Sequence, residues 1–255
     1  MHSLRIERAG GVITLTLDRP ERRNAIDVPT WQAFAEALHG AARSRDDRVV
    51  VLTGAGGHFC AGGDLSGAAR DGGAGPEGAR RAMRESVGAA CLALHELPKP
   101  CIAAVEGSAA GAGANLAFGC DLVVAGRSAR FGEVFIHRGL SVDSGGSWLL
   151  PLLVGLHRAK ELVFLGDWIP APDALAIGLV NRVVDDGRAL AEAHALAGRL
   201  VAASPVAVAR SKRALDSAFA RRFEEALDDE ADAIAECVAS PEFAEALRAF
   251  AKHAR

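Results

Sequence analysis

The chain has 255 residues, of which 50% are hydrophobic and 24% are charged, and its formal net charge is −3. This length fits one large or two small domains, and the apolar content suffices for a packed core, which excludes disorder over most of the chain. The slight acidic excess, without a basic block, argues against nucleic acid or an anionic membrane as the main partner. No apolar run reaches the ~20 residues that span a bilayer. The first residues lack the apolar core of a signal peptide, so we expect a soluble, cytoplasmic protein.

The first half of the chain predicts strands that alternate with helices. Residues 4–8 and 12–17 alternate apolar and polar side chains around a Gly-Gly pair, which predicts a β-hairpin. A helix is expected from about Asp27, a suitable N-cap, to residue 42, because its apolar residues recur at helical spacing. Buried strands are expected at 48–53, 101–105 and 122–125, and one more strand near 179–184. A loop is expected at 66–78, a helix at about 76–97 and another through 114–118.

Beyond Gly145 the pattern is mostly helical. Strands alternating with helices and followed by a helical tail predict an α/β core with a C-terminal helical region. The helices are expected at 148–154, 158–165, 171–177, 188–203, 205–218, 223–238 and 241–251.

The cysteines are scattered and form no Cys-x-x-Cys pair. An odd number at wide spacing favours free, buried thiols in a reducing compartment over a disulfide framework, and no cluster of ligands suggests a zinc site. The five are Cys60, Cys91, Cys101, Cys120 and Cys237.

Two turns rich in small residues follow buried strands, at 59–65 and 107–113. Glycine-rich turns between a strand and a helix expose backbone N–H groups, which hold an anion or a developing oxyanion. Close packing of helix on strand is the alternative reading of either turn alone. Two such turns in one domain can direct their N–H groups at one oxygen atom and so stabilise a developing oxyanion.

Other readings of these glycines fail on spacing. The glycines at 107, 111 and 113 do not form G-x-G-x-x-G, and no Gly-Lys-Ser/Thr follows either turn, so a nucleotide site has no support. No G-x-S-x-G elbow indicates a serine hydrolase. The chain contains no tyrosine, which removes phenolic acids and bases.

Several motifs occur together in a recognisable order. They are the segment 52–65 (LTGAGGHFCAGGDL), the segment from 100–107 through 120–121, Arg19-Pro20 followed by Asn-Ala-Ile at 24–26, and the segments 139–146 and 176–180. In order and spacing they resemble the crotonase, or enoyl-CoA hydratase/isomerase, superfamily. The resemblance covers nearly the whole chain. It is highly specific for the superfamily and much less specific for the reaction.

The resemblance implies an α/β fold class in the form of a crotonase-like spiral of ββα units with a C-terminal helical trimerisation region. It places a spiral core that binds acyl-CoA at residues 1–195 and a helical oligomerisation region at 196–255. Superfamily members are usually trimers or dimers of trimers, so a homotrimer or hexamer is expected. Their substrates are acyl-CoA thioesters. The resemblance implies no metal or redox cofactor, because coenzyme A arrives as part of the substrate.

Site residues follow from the resemblance position by position. The backbone N–H groups of Gly63 and Ala112 match the pair that stabilises the thioester enolate. The second position is usually glycine in the superfamily, but only its N–H is required. Ala25 and Ala61 match backbone positions that hold the CoA adenine.

Residues around the first turn are expected to contact the substrate. Leu65 and the segment after it should line the acyl pocket, and Asp64 is included among the substrate contacts. Capping of a helix is the alternative role of Asp64, and Asp121 at a strand entry reads as structural. His58 and His137 are candidate bases on chemistry alone, because imidazole titrates near neutral pH, although His58 is expected to point away from the turn.

The carboxylates are the residues that depart from the hydratase pattern. Superfamily hydratases hold a water between two glutamates, and the matching positions here are Asn115 and Phe135, which take up no proton at neutral pH. The segment 139–146 (GLSVDSGG) instead resembles isomerases that work with a lone aspartate, here Asp143. One carboxylate suffices to take a proton from one carbon and return it two carbons away. Burial beside Phe135 and Trp148 should raise its pKa; the alternative is that Asp143 only caps the following helix.

Glu133 is a possible second acid/base. It lies two residues before Phe135, and a local shift would bring its carboxyl into the pocket. A second carboxylate there would restore the requirement for hydration.

Three functions follow from these residues. The preferred one is an enoyl-CoA isomerase that moves a double bond from the 3,4 to the 2,3 position through an enolate held by Gly63 and Ala112, with Asp143 as acid/base. The second is a lyase that hydrates an enoyl-CoA or dehydrates its product. The third belongs to another class: an acyl-CoA-binding protein without turnover, in which Asn115 and Phe135 mark lost chemistry.

Overall fold

The computed structural model describes residues 3–64 and 75–217, and within them the chain forms two β-sheets with helices around them. The strands are β1 (Leu4–Ala9), β2 (Val12–Leu17), β3 (Val49–Gly54), β4 (Cys101–Val105), β5 (Ser108–Ala110), β6 (Leu122–Gly126), β7 (Arg130–Gly132), β8 (Trp168–Pro170) and β9 (Arg182–Val184).

The main sheet has the order β1-β2-β3-β4-β6-β9. Only its first pair, β1 and β2, is antiparallel, which is the predicted hairpin, and the remaining neighbours run parallel. A smaller sheet has the order β5-β7-β8, with β5 parallel and β8 antiparallel to β7. Because β5 follows β4 after two residues, the small sheet begins directly at the end of a central strand of the main sheet.

Helices cover the sheets and connect their strands. They are α1 (Val28–Arg43), α2 (Gly75–Ala82), α3 (Ala89–His95), α4 (Ala112–Phe118), α5 (Gly146–Val154), α6 (Leu156–Leu165), α7 (Ala171–Ala176), α8 (Ala189–Val201) and α9 (Pro205–Asp216). A π-helical segment, Met83–Gly88, joins α2 to α3, and a 3-10 helix, Val134–Arg138, follows β7.

Both faces of the central strands are buried, and alternate residues enter two different cores. In β3, Val50 and Leu52 belong to the larger core, whereas Val49 and Val51 face the smaller one. The smaller core is closed by α8, whose buried residues recur at helical spacing: Ala189, Ala193, Leu196 and Ala197. This two-sided burial explains why the parallel strands appear in the sequence as continuous apolar runs.

The predicted helices and buried strands occur within the described residues, with small differences at their ends. The sequence did not predict β5, β7 or β8, because three residues are too short to display an alternating pattern. The helix expected at 76–97 is correct in extent but contains the π-helical segment. The helices expected at 223–238 and 241–251, most of the loop at 66–78, and Cys237 lie outside the described residues.

Within the described ranges, no helix is long and apolar enough to cross a membrane. Cys60, Cys101 and Cys120 are buried and free, and Cys91 is partly buried and free. No three His, Cys, Asp or Glu side chains in these ranges are grouped as metal ligands would be.

One close packing contact fixes α4 against the turn that follows β3. A Cβ added to Gly113 would lie 2.5 Å from the carbonyl oxygen of Cys60 and 2.8 Å from its Sγ. The first of these atoms is backbone and the second belongs to a fully buried side chain, so neither moves easily. Glycine is therefore required here for close approach.

We predict that Gly113→Ala destabilises the protein, because the added methyl group overpacks this contact. The free energy of unfolding, measured with urea, should fall by about 1–3 kcal/mol. Gly40→Ala is the matched control, since Gly40 lies inside α1 with open space at its Cβ position. It should gain about 0.5–1 kcal/mol from helix propensity. Equal effects of the two substitutions would contradict the packing argument.

Candidate active site

The two turns rich in small residues are joined by backbone hydrogen bonds. Cys60 in the first turn and Ala109 in β5 pair in parallel: the Cys60 N–H donates to the Ser108 carbonyl (3.1 Å), and the Ala110 N–H donates to the Cys60 carbonyl (2.9 Å). The turns stay in contact beyond this pair. A Cβ on Gly62 would lie 2.8 Å from the Ala110 carbonyl oxygen.

Two backbone N–H groups at these turns are free to bind a ligand. Gly63 pairs in parallel with Ile26, which bonds to the residues on either side of Gly63, so the N–H of Gly63 faces away from Ile26. Ala112 is the first residue of α4, where an N–H has no intrahelical acceptor. Among the described residues, neither N–H has a protein acceptor. The role of these two N–H groups as an oxyanion hole stays a prediction.

The side chain of Arg19 connects the first turn to the segment before α1. The Arg19 guanidinium donates to the Ala25 carbonyl (2.8 Å) and to the Asp64 carboxylate (2.9 Å), and it lies 3.3 Å from the Asp27 carboxylate. Asp27 itself caps α1 by accepting from the Thr30 N–H, as expected from the sequence. Asp64 thus serves as an ion-pair partner that ties its turn to the segment 19–27. The residues that follow it, including Leu65, lie outside the described range, and with them any helix that Asp64 would cap.

The buried side chain of Asn24 stabilises the same turn through hydrogen bonds. Asn24 has a left-handed backbone conformation (φ 58°), and its buried side-chain amide donates to the carbonyls of Ala55 (2.8 Å) and His58 (2.7 Å). The Ala61 N–H donates to the Arg23 carbonyl (2.9 Å), so the segments carrying Ala25 and Ala61 run side by side. The two predicted adenine positions are therefore neighbours, and their role stays a prediction.

The two histidines and Asp121 make contacts within the scaffold. The Nδ1 atom of His58 lies 3.1 Å from the Ser108 hydroxyl, and the Nε2 atom of His137 lies 3.1 Å from the Gly166 carbonyl. The Asp121 carboxylate accepts from the Cys101 N–H (2.7 Å) and from the Lys212 ammonium (2.7 Å). These contacts give each of the three side chains a structural role.

Two polar side chains and one backbone carbonyl meet beyond the start of α4. The amide nitrogen of Asn115 donates to the Glu133 carboxyl (Oε2, 3.3 Å) and to the backbone carbonyl of Asp143 (2.9 Å). Asn115 and Glu133 are 1% and 3% exposed, respectively. Glu133 reaches this place directly, at the bend between β7 and the 3-10 helix, without any local shift. Phe135 is also buried, and its ring lies 3.3 Å from the position of a Cβ on Gly111.

Burial changes the acidity of both carboxyl groups. It raises the pKa of Glu133 to about 8, with a further upward contribution from the charge of Asp143. It also raises the pKa of Asp143, opposed by the Ser144 hydroxyl, which donates to Oδ1 (2.7 Å). The rise at Asp143 agrees in direction with the sequence-based expectation. Trp148, one of the two residues expected to cause it, packs edge-on against His95.

The capping alternative for Asp143 is wrong. The N-cap of α5 is Gly145, and no side chain caps the helix. Asp143 meets the helix only through its backbone carbonyl, which accepts from the Gly146 N–H (2.9 Å). Its carboxylate takes no part in capping, and its role as acid/base stays a prediction.

A cavity of about 320 Å³ adjoins this group. Asn115, Ser144 and Gly145 form one part of its wall, and most of the rest is apolar: Leu92, Leu94, Leu116, Trp148 and Leu149. Cys91 also lines it, and burial raises the pKa of its thiol to about 12, so it is neutral and a poor nucleophile at physiological pH. An apolar space of this size suits a hydrocarbon chain.

A comparison with known protein families covers nearly the whole chain. A sequence model of the family described as "Enoyl-CoA hydratase/isomerase" matches residues 7–255. The chain belongs to the enoyl-CoA hydratase/isomerase family.

Individual relatives within this family carry names for different reactions. The chain is 39% identical over 244 residues to a 1,2-epoxyphenylacetyl-CoA isomerase of Escherichia coli K12, covering 94% of this chain and 92% of the relative. It is 34% identical over 259 residues to a short-chain-enoyl-CoA hydratase of Clostridium acetobutylicum, covering 98% and 95%. A crystal structure of an enoyl-CoA hydratase from Polaromonas sp. JS666 superposes with a TM-score of 0.93 at 37% identity, covering 98% and 97%. The crotonase-like fold is thereby confirmed, and the family membership indicates an enzyme.

Within this family fold, three contacts had no sequence-based prediction. The Arg19–Asp64 ion pair joins residues 45 positions apart, and only the motif Arg-Pro before Asn-Ala-Ile marked its first partner. The two acceptors of the Asn24 amide likewise come from the next turn. Ser144 next to Asp143 carried no signal, although its hydroxyl contacts the candidate catalytic carboxylate.

Proposed function

We propose that the chain is an enoyl-CoA isomerase, which moves the double bond of an acyl-CoA thioester from the 3,4 to the 2,3 position. The observation that carries this proposal is the Asp143 carboxylate. It is half-buried, it caps no helix, and its raised pKa suits a group that must both take and return a proton. Asn115 and Phe135, at the positions of the hydratase glutamates, supply no carboxylate.

The proposed reaction moves one proton. The Asp143 carboxylate removes a proton from C2 of the 3-enoyl thioester, and the electron pair moves onto the thioester oxygen, which the N–H groups of Gly63 and Ala112 stabilise. The resulting dienolate takes the same proton from Asp143 at C4. The double bond then lies between C2 and C3, and the carboxylate is restored.

The substrate is proposed to enter as a coenzyme A thioester, with no separate cofactor. The paired segments at Ala25 and Ala61 would hold the adenine, and Asp64 and Leu65 would border the acyl group. The apolar cavity beside Asn115 and Ser144 offers room for the acyl chain.

Hydration, the reaction of a lyase, is the second candidate, because Glu133 is a second carboxyl group, hydrogen-bonded to Asn115 in the cavity wall. Addition of water needs one carboxylate to take a proton from water and an acid to deliver a proton to C2. Asp143 and the protonated Glu133 could divide these roles. A binding protein without turnover would need neither group.

A homotrimer or hexamer is proposed as the assembled form. Helices α5 and α6 expose an unusual number of large apolar side chains: Leu152, Leu153, Leu156, Phe164 and Leu165. Contact with other copies of the chain would remove these side chains from water.

Incubation with a 3-enoyl-CoA and a 2-enoyl-CoA in D₂O tests the proposed reaction. We expect the double bond to migrate with no oxygen added, as followed by NMR and mass spectrometry. Deuterium at C2 or C4 then reports how often the proton held on Asp143 exchanges with D₂O before it is returned. A 3-hydroxyacyl-CoA product would identify a hydratase. No change in either substrate would leave the binding protein as the supported alternative.

We predict that Asp143→Asn lowers kcat of the isomerisation by about 10²- to 10⁴-fold, because an amide cannot accept the proton. Affinity for the CoA thioester, measured by calorimetry, should stay near that of the unmodified protein. Asp185→Asn is the matched control, since the Asp185 side chain is 88% exposed. Turnover retained in Asp143→Asn would exclude Asp143 as the base.

We predict that Ala112→Pro lowers kcat by about 10²- to 10³-fold, because proline removes one proposed oxyanion donor. Position 112 is the first of α4, where a helix tolerates proline. Ala112→Gly keeps the N–H and should retain activity. If both variants are equally active, the N–H of residue 112 takes no part in the reaction.

A further inference from the structure

Asn115 and Glu133 each keep one buried atom without a partner. Their side chains are joined by the hydrogen bond from Nδ2 to Oε2, but Asn115 Oδ1 and Glu133 Oε1 have no hydrogen-bond partner in the structure. With an ionised carboxylate both remaining atoms are acceptors, so they cannot bond to each other. Two buried acceptors without donors, one of them charged, would be costly.

Protonation of the carboxyl removes this mismatch. An amide and a carboxylic acid each offer one donor and one acceptor, and they can therefore pair through two hydrogen bonds. Since Oε2 already accepts from the amide, the acidic hydrogen belongs on Oε1. It would then be donated to Asn115 Oδ1.

We propose that Glu133 is a carboxylic acid in the working enzyme, paired with Asn115 through two hydrogen bonds, and that this neutral pair is the element that positions Asp143. In this role Glu133 acts through Asn115 and touches no reacting atom. The link to catalysis rests on the proposed function of Asp143, whereas the protonation of Glu133 does not.

The second hydrogen of the Asn115 amide connects the pair to Asp143. It is donated to the Asp143 backbone carbonyl (2.9 Å), so the orientation of the amide plane determines where this turn sits. Space at the contact is tight, because a Cβ on Gly146 would lie 2.4 Å from the amide nitrogen. A rotated Asn115 would therefore displace the start of α5 and the carboxylate before it.

Among the described residues, the ionisable groups near the pair are Asp143, Cys91 and His95, the last two in the wall of the adjoining cavity. The charge acting on Glu133 is that of Asp143, and burial is the larger cause of the raised Glu133 pKa, about 8. Next to Asp143 lies Cys91 on α3, whose thiol is neutral at physiological pH because burial raises its pKa to about 12. In the proposed arrangement Glu133 and Cys91 are neutral, and Asp143 is the carboxyl group that must be ionised to accept a proton. Above about pH 8, ionisation of Glu133 would break the pair and oppose the charge of Asp143.

The pH dependence of turnover tests the positioning role. Glu133→Gln keeps the same two hydrogen bonds with a group that never ionises, so kcat should stay within about tenfold of the unmodified enzyme. A fall in kcat above about pH 8 in the unmodified enzyme should be absent from this variant. Glu133→Ala, which leaves Asn115 free to rotate, should lose far more activity. Loss of turnover in Glu133→Gln would overturn the positioning role and identify Glu133 as a proton-transfer group.

The dependence of stability on pH tests the protonation of Glu133 and needs no activity assay. A folded-state pKa raised from 4.5 to about 8 means that the unfolded chain releases the Glu133 proton first. The contribution of Glu133 to stability is therefore present in full below about pH 4.5 and is lost progressively up to about pH 8. The Tm of Glu133→Gln, relative to the unmodified protein, should rise across this window and then level off. Glu36→Gln, at an exposed position of α1, should show no such trend.

Infrared spectroscopy provides a second measurement of the state of Glu133, again without an activity assay. Infrared spectra at neutral pH should contain the C=O band of a buried protonated carboxyl, absent from Glu133→Gln. A Tm difference that is flat above pH 5 and a missing band would overturn the proposal. If the unmodified protein converts no enoyl-CoA, the proposed function fails, yet Tm and the infrared band still decide the state of Glu133.

Discussion

The parallel backbone pairing of Cys60 with Ala109 is the constraint on which the rest of the site depends. It holds the turn after β3 against β5, and so brings two glycine-rich turns from different parts of the chain into contact. Where the two turns touch, there is no space for a larger residue at two positions. A Cβ on Gly62 would clash with the Ala110 carbonyl, and a Cβ on Gly113 would clash with Cys60. The small residues of both turns are thus explained by close approach, and the same approach leaves backbone N–H groups on its open side.

The side-chain amide of Asn115 joins the polar groups in the second half of the site. The amide of Asn115 has one hydrogen for Glu133 and one for the Asp143 carbonyl, which makes it the common partner of the polar side chains. A carboxylate at position 115 could offer neither hydrogen. In the proposed arrangement, the amide at position 115 therefore requires a protonated Glu133, and both serve to position the proposed base at position 143.

Local periodicity and recognised motifs account for what the sequence could predict. The hairpin, α1 with its Asp27 cap and the buried strands have patterns contained within a few neighbouring residues. The motifs also pointed to Asp143, and only the geometry removed its capping alternative. Glu133 could not be placed from sequence, because its position depends on how β7 bends into the following 3-10 helix. The pairing of Arg19 with Asp64 likewise depends on the tertiary fold, since the two residues are distant in sequence.

Relatives named as isomerases and as hydratases share this scaffold at comparable identity, and the structure suggests a physical reason. The proposed enolate site is made of backbone N–H groups, whose positions follow from sheet pairing and tolerate alanine at position 112. The fate of an enolate depends instead on which neighbouring side chains carry protons. Those side chains project from α4, from the bend after β7 and from the loop before α5, outside the backbone pairing of Cys60 with Ala109 that joins the turns. Fold and thioester chemistry are therefore expected to be retained together, while the reaction changes through a few carboxyl and amide groups.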